Sequence, residues 1–556
     1  MKRRSLFAGL GALIALSMVL AACAPAGPAR PYEEIKYSEP MVLAAPDCDY
    51  GGLIQSIEAT DEFTVVFNLC RPDPAFTAKM GFSVFGIYPR EWLEYEAKAD
   101  TSAEVRLRAP VGTGPYKLTQ WTAGESVTFT RNDDYWGEPA TAKTFVLRWS
   151  TESAARVLEL QAGTVDGIDN PGPSDFAVIQ GDSNLQLTIR PALNTFYIAM
   201  TNTFEPFDDV NIRQAIAMGI DRQRIVDTFY PTGSEVASHF TPCAIPNGCA
   251  GDPWYDFDAA AAKQKLADAG FPDGFSTKLF YRDVVRGYLP EVGRVAEEIQ
   301  SQLKQNLNID AEIVVMESGA FIDDSSNGRL DGLYLLGWGA DYPHITNFLD
   351  FHFSEANVQF GTPFPEIFNL LVEGSQIADP AAAESVYVQA NNAIRELVPM
   401  VPVAHGGSAA AYLAAVQNPQ ASPLTEERFA LSDSGKDTLV FMQGAEPISL
   451  FCADETDGES LRGCTQMIEG LYAYAINDTA TEPALATSCD ANADLTVYTC
   501  HLRQGVKFHD GTSFDANDVV ATFTMGLDAS SPLHQGNTAS WDYYANLWGL
   551  MNVPPG

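Results

Sequence analysis

Between residues 194 and 403 the chain switches repeatedly from apolar runs of strand length to amphipathic stretches of helix length. NTFYIAMTN (Asn194 to Asn202) reads as a strand able to cross between lobes. PFDDVNIRQAIAMGIDRQRIV follows as a helix over Pro206 to Val226, opened by Asp208 or Asp209. A helix over Ala259 to Ala269 has Asp258 as its cap and Gly270 as its stop. Another lies within Glu291 to Leu307 and leads into a strand at Ala311 to Met316. Helical periodicity returns from Ala378 to Val398, before a return strand at Met400 to Val403. Such alternation predicts an α/β fold with largely parallel sheet.

Within this region Leu333 to Leu336 reads as a buried parallel strand, stopped by Gly337 and Gly339. Glycines there let the backbone leave the sheet sharply and let another group approach closely. Beyond them stand Trp338, Asp341 and Tyr342. A carboxylate between two aromatics past a strand's carboxyl end suits a cationic ligand group in a dry crevice. The same residues are also compatible with an ordinary turn, Asp341 capping the next helix and Trp338 filling core.

The chain's address is written at its start. Lys2, Arg3 and Arg4 precede the apolar run from Ser5 to Leu20, followed by Ala21, Ala22 and Cys23. A basic stretch, a short apolar stretch and small residues make an export signal, residues 1–22, and the run is too short for a spanning helix. Leu-Ala-Ala-Cys resembles the bacterial lipobox, which implies a lipid on Cys23, and the paired arginines resemble a Tat signal. Residues 23–40 are Pro-rich and read as a tether to a folded body starting near Met41. The other eight cysteines, Cys48, Cys70, Cys243, Cys249, Cys452, Cys464, Cys489 and Cys500, fall as close sequential pairs. Even numbers outside the cell argue for disulfides, although spacing alone leaves connectivity open. A formal net charge of −38 argues against nucleic acid or an anionic bilayer face as partner.

Ahead of residue 194, Phe63, Val65, Phe67 and Leu69 alternate as in a half-buried strand, and Ser150 to Gly163 reads as a capped helix. The last 120 residues restart like the beginning of a chain, with a strand and turn at Asp437 to Leu450, a hairpin bracketed by Cys489 and Cys500, and a helix from Asp515. EPALATS, LRQGVKFHDGTSFDANDVVATF, ATDEFTVVFNL, PVGTGPYKL, RNDDYWG, ELQAGTVDGID, FDDVNIRQAIAMGIDRQRIV and GWGADYP together resemble the dipeptide/oligopeptide/nickel solute-binding proteins of ABC importers. The resemblance implies a two-lobe, type II Venus-flytrap fold that encloses solute by hinge closure. Lobe I would combine 41–200 with 405–556, and lobe II would be 201–404.

In that family the segment resembling Asp437 to Gly556 comes first. The order here therefore reads as a circular permutation, or else as a truncated tandem. The resemblance assigns Asp341 to the ligand's amino terminus and Arg286, in VVRGYLPEVGRVAEEI, to its carboxylate, a pairing of ammonium with carboxylate and carboxylate with guanidinium. Trp338 and Tyr342 would be walls, with Glu446 and Tyr197 as further candidates. The expected function is capture of a short peptide or similar zwitterion by a lipid-anchored monomer, and delivery to an ABC permease. A nickel chelate, haem or oligosaccharide ligand, or a sensory role, is the alternative. No HExxH, GxSxG or paired CxxC spacing occurs, so neither catalysis nor a metal or other cofactor is expected. His405, in PVAHGG, reads as a structural histidine.

Overall fold

The structure is a computed structural model that describes residues 30–98, 107–284, 286–424, 426–536 and 540–553. The export signal and Cys23 lie outside the described residues. Three sheets organise the chain. A five-stranded antiparallel sheet runs in the order Val42–Ala44, Ile54–Asp61, Thr64–Leu69, Val497–Leu502, Ala486–Ala491. A seven-stranded sheet runs Tyr116–Thr122, Ser126–Arg131, Thr144–Trp149, Thr438–Gln443, Gly167–Asp169, Ser408–Leu413, Leu185–Arg190. A six-stranded sheet runs Glu235–Val236, Met400–His405, Asn194–Met200, Leu333–Gly339, Ser276–Arg282, Asp310–Met316. The first two sheets belong to one lobe and the third forms the other.

The α/β layering is as expected, but the sheets are mixed rather than largely parallel. Parallel pairing is confined to the strands at 276, 310 and 333 and to Thr438–Gln443 with its two neighbours. The first three have helices between them in the chain, whereas the rest of the lobe is hairpins and returning strands, which pair antiparallel. Leu333–Gly339 itself is parallel to Ser276–Arg282 and antiparallel to Asn194–Met200.

Local signals gave most elements. Val65, Phe67 and Leu69 point inward along Thr64–Leu69. Asp258 caps Ala259–Asp268 by accepting from the amides of Ala260 and Ala261. The stretch Pro206 to Val226 is two helices, Val210–Gly219 and Arg222–Phe229, because Asp221 caps the second after an extended Ile220. The eight cysteines pair as neighbours: Cys48–Cys70, Cys243–Cys249, Cys452–Cys464 and Cys489–Cys500, the last directly opposite each other in register.

Residues 30–40 are docked rather than a free tether. The Tyr32 hydroxyl donates to Asp510 Oδ2 at 2.8 Å, Glu34 accepts from the Ser513 amide at 3.1 Å, and Asn517 Nδ2 donates to the Glu39 carbonyl at 3.0 Å. The late segment is built in as deeply. Thr438–Gln443 is an interior strand of the seven-stranded sheet. Buried Arg190 and Arg462 each pair with both Asp169 and Glu427, at 2.6–3.1 Å. Each charge in this square has two opposite partners, the condition under which buried ions are tolerated.

Two short crossings join the lobes, at residues 191–193 and 406–407. Asn194–Met200 therefore pairs within the six-stranded sheet, so the first lobe boundary falls before Asn194 rather than after residue 200. The Asn194 side chain ties the crossings together: Nδ2 donates to the Gly406 carbonyl and Oδ1 accepts from the Gly406 amide, both at 2.7 Å. His405 Nδ1 lies 2.7 Å from the Asn194 carbonyl, consistent with a structural histidine held neutral by burial, its ring lowered to about 4. A Cβ on Gly406 would strike the Gly287 carbonyl, so the loop at 286–289 rests against this hinge.

Candidate functional site

Ser276–Arg282 and Leu333–Gly339 are adjacent and parallel, so the loops after them emerge at one edge of the sheet. The first loop carries Arg286 and the second carries Asp341. Carboxyl ends of neighbouring parallel strands form a natural ligand crevice. Gly337 allows the two loops to touch, because its missing side chain is where the Tyr288 ring packs, with the Thr195 carbonyl 2.5 Å from a Cβ position.

Asp341 does not cap the following helix, Ile345–Phe353; His344 does, accepting from the Thr346 amide. The carboxylate is held by two donors from different parts of the molecule. Asn347 Nδ2 donates to Oδ2 at 3.0 Å, and the Tyr543 hydroxyl donates to Oδ1 at 3.0 Å. Asn347 is buried and also accepts from the Asp341 amide at 3.0 Å and from Trp338 Nε1 at 3.2 Å. The turn is thereby fixed around a single amide. Burial pushes the Asp341 carboxyl up to about 6, against the opposing pull of Asn347 and Tyr543.

Tyr543 belongs to the short helix Asp542–Leu547 of the other lobe, and its ring packs edge-on against Phe82 at 4.7 Å. The bond between Tyr543 and Asp341 thus spans the crevice. It is the contact that sequence reasoning missed: DYYANL carries no motif, and 202 residues separate the partners. Asn347 was missed too, although its position one turn inside a capped helix after the acid is a usable signal.

The other candidates divide. The Tyr342 ring packs with Ala75 and Ala78 of the opposite lobe, and Lys79 Nζ lies 5.5 Å from its centroid. Trp338 stacks on Phe351 at 4.2 Å and stands edge-on to His352 at 5.1 Å. Arg286 is exposed on its loop, its backbone bridged to Leu289. Tyr197 is instead a core residue: fully buried in mid-strand, it accepts from Gln359 Nε2 at 2.7 Å and is ringed by Phe240, His352 and Phe360. Glu446 is instead committed to the hairpin after Tyr116, accepting from Trp121 Nε1 at 2.9 Å and the Gly124 amide at 3.0 Å. Among the described residues no cluster of three or more histidine, cysteine or acidic side chains could hold a metal ion. A recess of about 690 Å³ lined by Ser276, Gln300, Lys304 and Glu312 lies at the opposite end of these strands and includes none of the candidates.

Comparison with known proteins gives a consistent picture. The chain is 29% identical over 367 residues to di/tripeptide-binding protein 1 of Pseudomonas aeruginosa, covering 63% of this chain and 66% of that one. It is 28% identical over 359 residues to heme-binding protein A of Haemophilus influenzae, covering 64% and 65%. The chain thus spans just under two thirds of the length of these curated relatives. Among solved structures it resembles HbpA2 of Haemophilus parasuis, with TM-score 0.62 at 29% identity over 68% of this chain and 74% of that one. It also resembles the dipeptide binding protein of Pseudoalteromonas sp. SM9913 in complex with Met-Leu, with TM-score 0.57 at 26% identity over 69% and 76%. The model of the bacterial extracellular solute-binding proteins, family 5, matches residues 25–360 and 480–544, and the chain belongs to that family.

Proposed function

We propose that the chain captures short peptides outside the cell and passes them to an ABC permease without altering them. The observation that carries this reading is Asp341: a carboxylate desolvated between two lobes, held ready by Asn347, and facing the opposite lobe through a single hydroxyl. A peptide's ammonium group would displace the Tyr543 hydroxyl and form a charge-assisted pair in low dielectric. Arg286, on the neighbouring loop, is assigned the peptide's carboxylate, and Trp338 and Tyr342 the walls. Peptide-binding relatives and a Met-Leu complex in the same fold support the peptide reading.

A haem ligand is the second reading, favoured by the Haemophilus influenzae relative. Lipidation of Cys23 would anchor the receptor to the membrane. The chain order is read as a circular permutation in which residues 437–553 complete their own lobe. Support comes from Thr438–Gln443 lying inside the seven-stranded sheet and Val497–Leu502 pairing with Thr64–Leu69. Native mass spectrometry of the chain from residue 24 tests the ligand and the chain order together. A monomer that carries a copurified peptide, or is stabilised by di- to pentapeptides, is expected. Stabilisation by haem alone would overturn the ligand, and an obligate exchanged dimer would overturn the permuted monomer.

A further inference from the structure

Below Asp341 the lobes meet through a group of charged side chains that peptide capture does not use. Lobe I contributes Asp73 and Lys79, paired at 2.8 Å with little exposure, and Trp548, whose ring lies 4.9 Å from Lys79 Nζ. Lobe II contributes Tyr342, His344 and, nine residues on from the crevice acid, Asp350. Asp350 sits in helix Ile345–Phe353, and its Oδ1 is closed off from solvent with no hydrogen-bond partner among the described residues. Lys79 is the cation that faces it across the interface, but Lys79 is already taken by Asp73. Tyr387, from helix Pro380–Leu397, is the remaining ionisable side chain close by, and its hydroxyl is also unpartnered. His344 is held neutral by burial and adds no charge.

Opening the lobes would remove Asp73, Lys79 and Trp548 and return Asp350 to water. We propose that Asp350 makes lobe closure proton-linked: the closed form takes up a proton at this carboxyl, so acid favours closure and alkali favours opening. An ionised Asp350 in the closed form would leave one carboxylate oxygen shut off from solvent and unpartnered, with its one nearby cation shared with Asp73, which is unfavourable; the neutral acid is not. Burial raises the Asp350 carboxyl to about 7, with Asp73 adding to the rise and Lys79 opposing it. The sign follows from linkage. An acid with a raised value in the closed form contributes fully to closure below its open-state value, near 4 for an aspartate in water, and the contribution is lost as pH rises through the closed-state value. Over that window the closing equilibrium changes by up to roughly tenfold per pH unit.

Asp341 is also desolvated by closure, so it is neutralised first in the test. Small-angle scattering of the ligand-free chain from residue 24, bearing Asp341→Asn, is followed from pH 5 to 9. It is compared with Asp341→Asn/Asp350→Asn, or with Asp341→Asn/Asp350→Ser if the asparagine variant does not fold. The expected result is a compact form at pH 5 that expands near pH 7 in the single variant, with no such transition in the double. An unchanged radius in the single variant, or the same transition in the double, overturns the proposal. Neither outcome depends on which solute the crevice takes, so the latch can fail while the peptide reading stands, and the reverse.

Discussion

Glu469 is the residue on which two of the recognisable sequence motifs converge. Partly buried, it accepts from Thr113 Oγ1 at 2.7 Å, from the Tyr135 hydroxyl at 2.6 Å and from Trp136 Nε1 at 2.8 Å. PVGTGPYKL supplies the first donor and RNDDYWG the other two, so one carboxyl from the late segment fastens two early loops. Burial pushes this carboxyl up, and the three donors oppose the shift. Replacing it by alanine orphans all three donors. Each unsatisfied buried donor costs about 1–3 kcal/mol, and Tyr135 and Trp136 are only partly buried and can regain water, so the expected total sits at the low end, about 3 kcal/mol. Glu469→Gln keeps one acceptor oxygen but turns an amide donor toward the other partners, and should lose about half as much. Urea unfolding followed by tryptophan fluorescence measures both, since Trp136 reports on the loop directly. A loss below about 1 kcal/mol for Glu469→Ala would show that the three bonds exchange freely with water, and would refute the reasoning.

Other perturbations have equally definite outcomes. Replacing Cys489 and Cys500 by serine frees a loop of 11 residues and should cost about 3 kcal/mol in urea unfolding under non-reducing conditions; an unchanged unfolding midpoint would show that the pair contributes nothing. Gly337→Ala drives a methyl group toward the Tyr288 ring and to 2.5 Å from the Thr195 carbonyl, so melting should fall by the equivalent of about 1–3 kcal/mol; an unchanged melting temperature would mean the loops are not in contact. In an Asp350→Asn background, affinity for Met-Leu should fall as pH drops through about 6, by roughly tenfold per unit, because protonated Asp341 cannot pair with an ammonium group. A flat titration-calorimetry profile between pH 5 and 7 would separate Asp341 from the ligand.

The sequence was legible where structure is local. Asp258 and Asp209 cap the helices that follow them because a short carboxylate meets amides two or three residues on. The Cys489–Cys500 hairpin follows from two strands and a turn in one short stretch. The strand expected to stop at Gly337 runs on to Gly339 with Trp338 inside it, because Gly337 to Gly339 still pair with Asn194 to Phe196; crowding is confined to Gly337. Strand direction was less legible, since Leu333–Gly339 takes one neighbour by crossover and the other from a chain leaving the hinge. Periodicity carries no information about which neighbour arrives. The engagement of Glu446 and Tyr197 elsewhere was hidden for the same reason: their partners, Trp121 and Gln359, lie 325 and 162 residues away. Tyr543 is the mirror case, a residue without a local signature that only the arrangement of the lobes brings to Asp341.

The central claim is that Asp341 receives a peptide's charged amino terminus, and removing that one charge from the ligand tests it most directly. Isothermal titration of Met-Leu against N-acetyl-Met-Leu at pH 7 isolates the contact without altering the protein. Loss of a desolvated ion pair costs about 3 kcal/mol or more, so acetylation should weaken binding by at least about 100-fold, and Asp341→Asn should largely erase the difference between the two ligands. Equal affinity for the free and acetylated peptides would contradict the account.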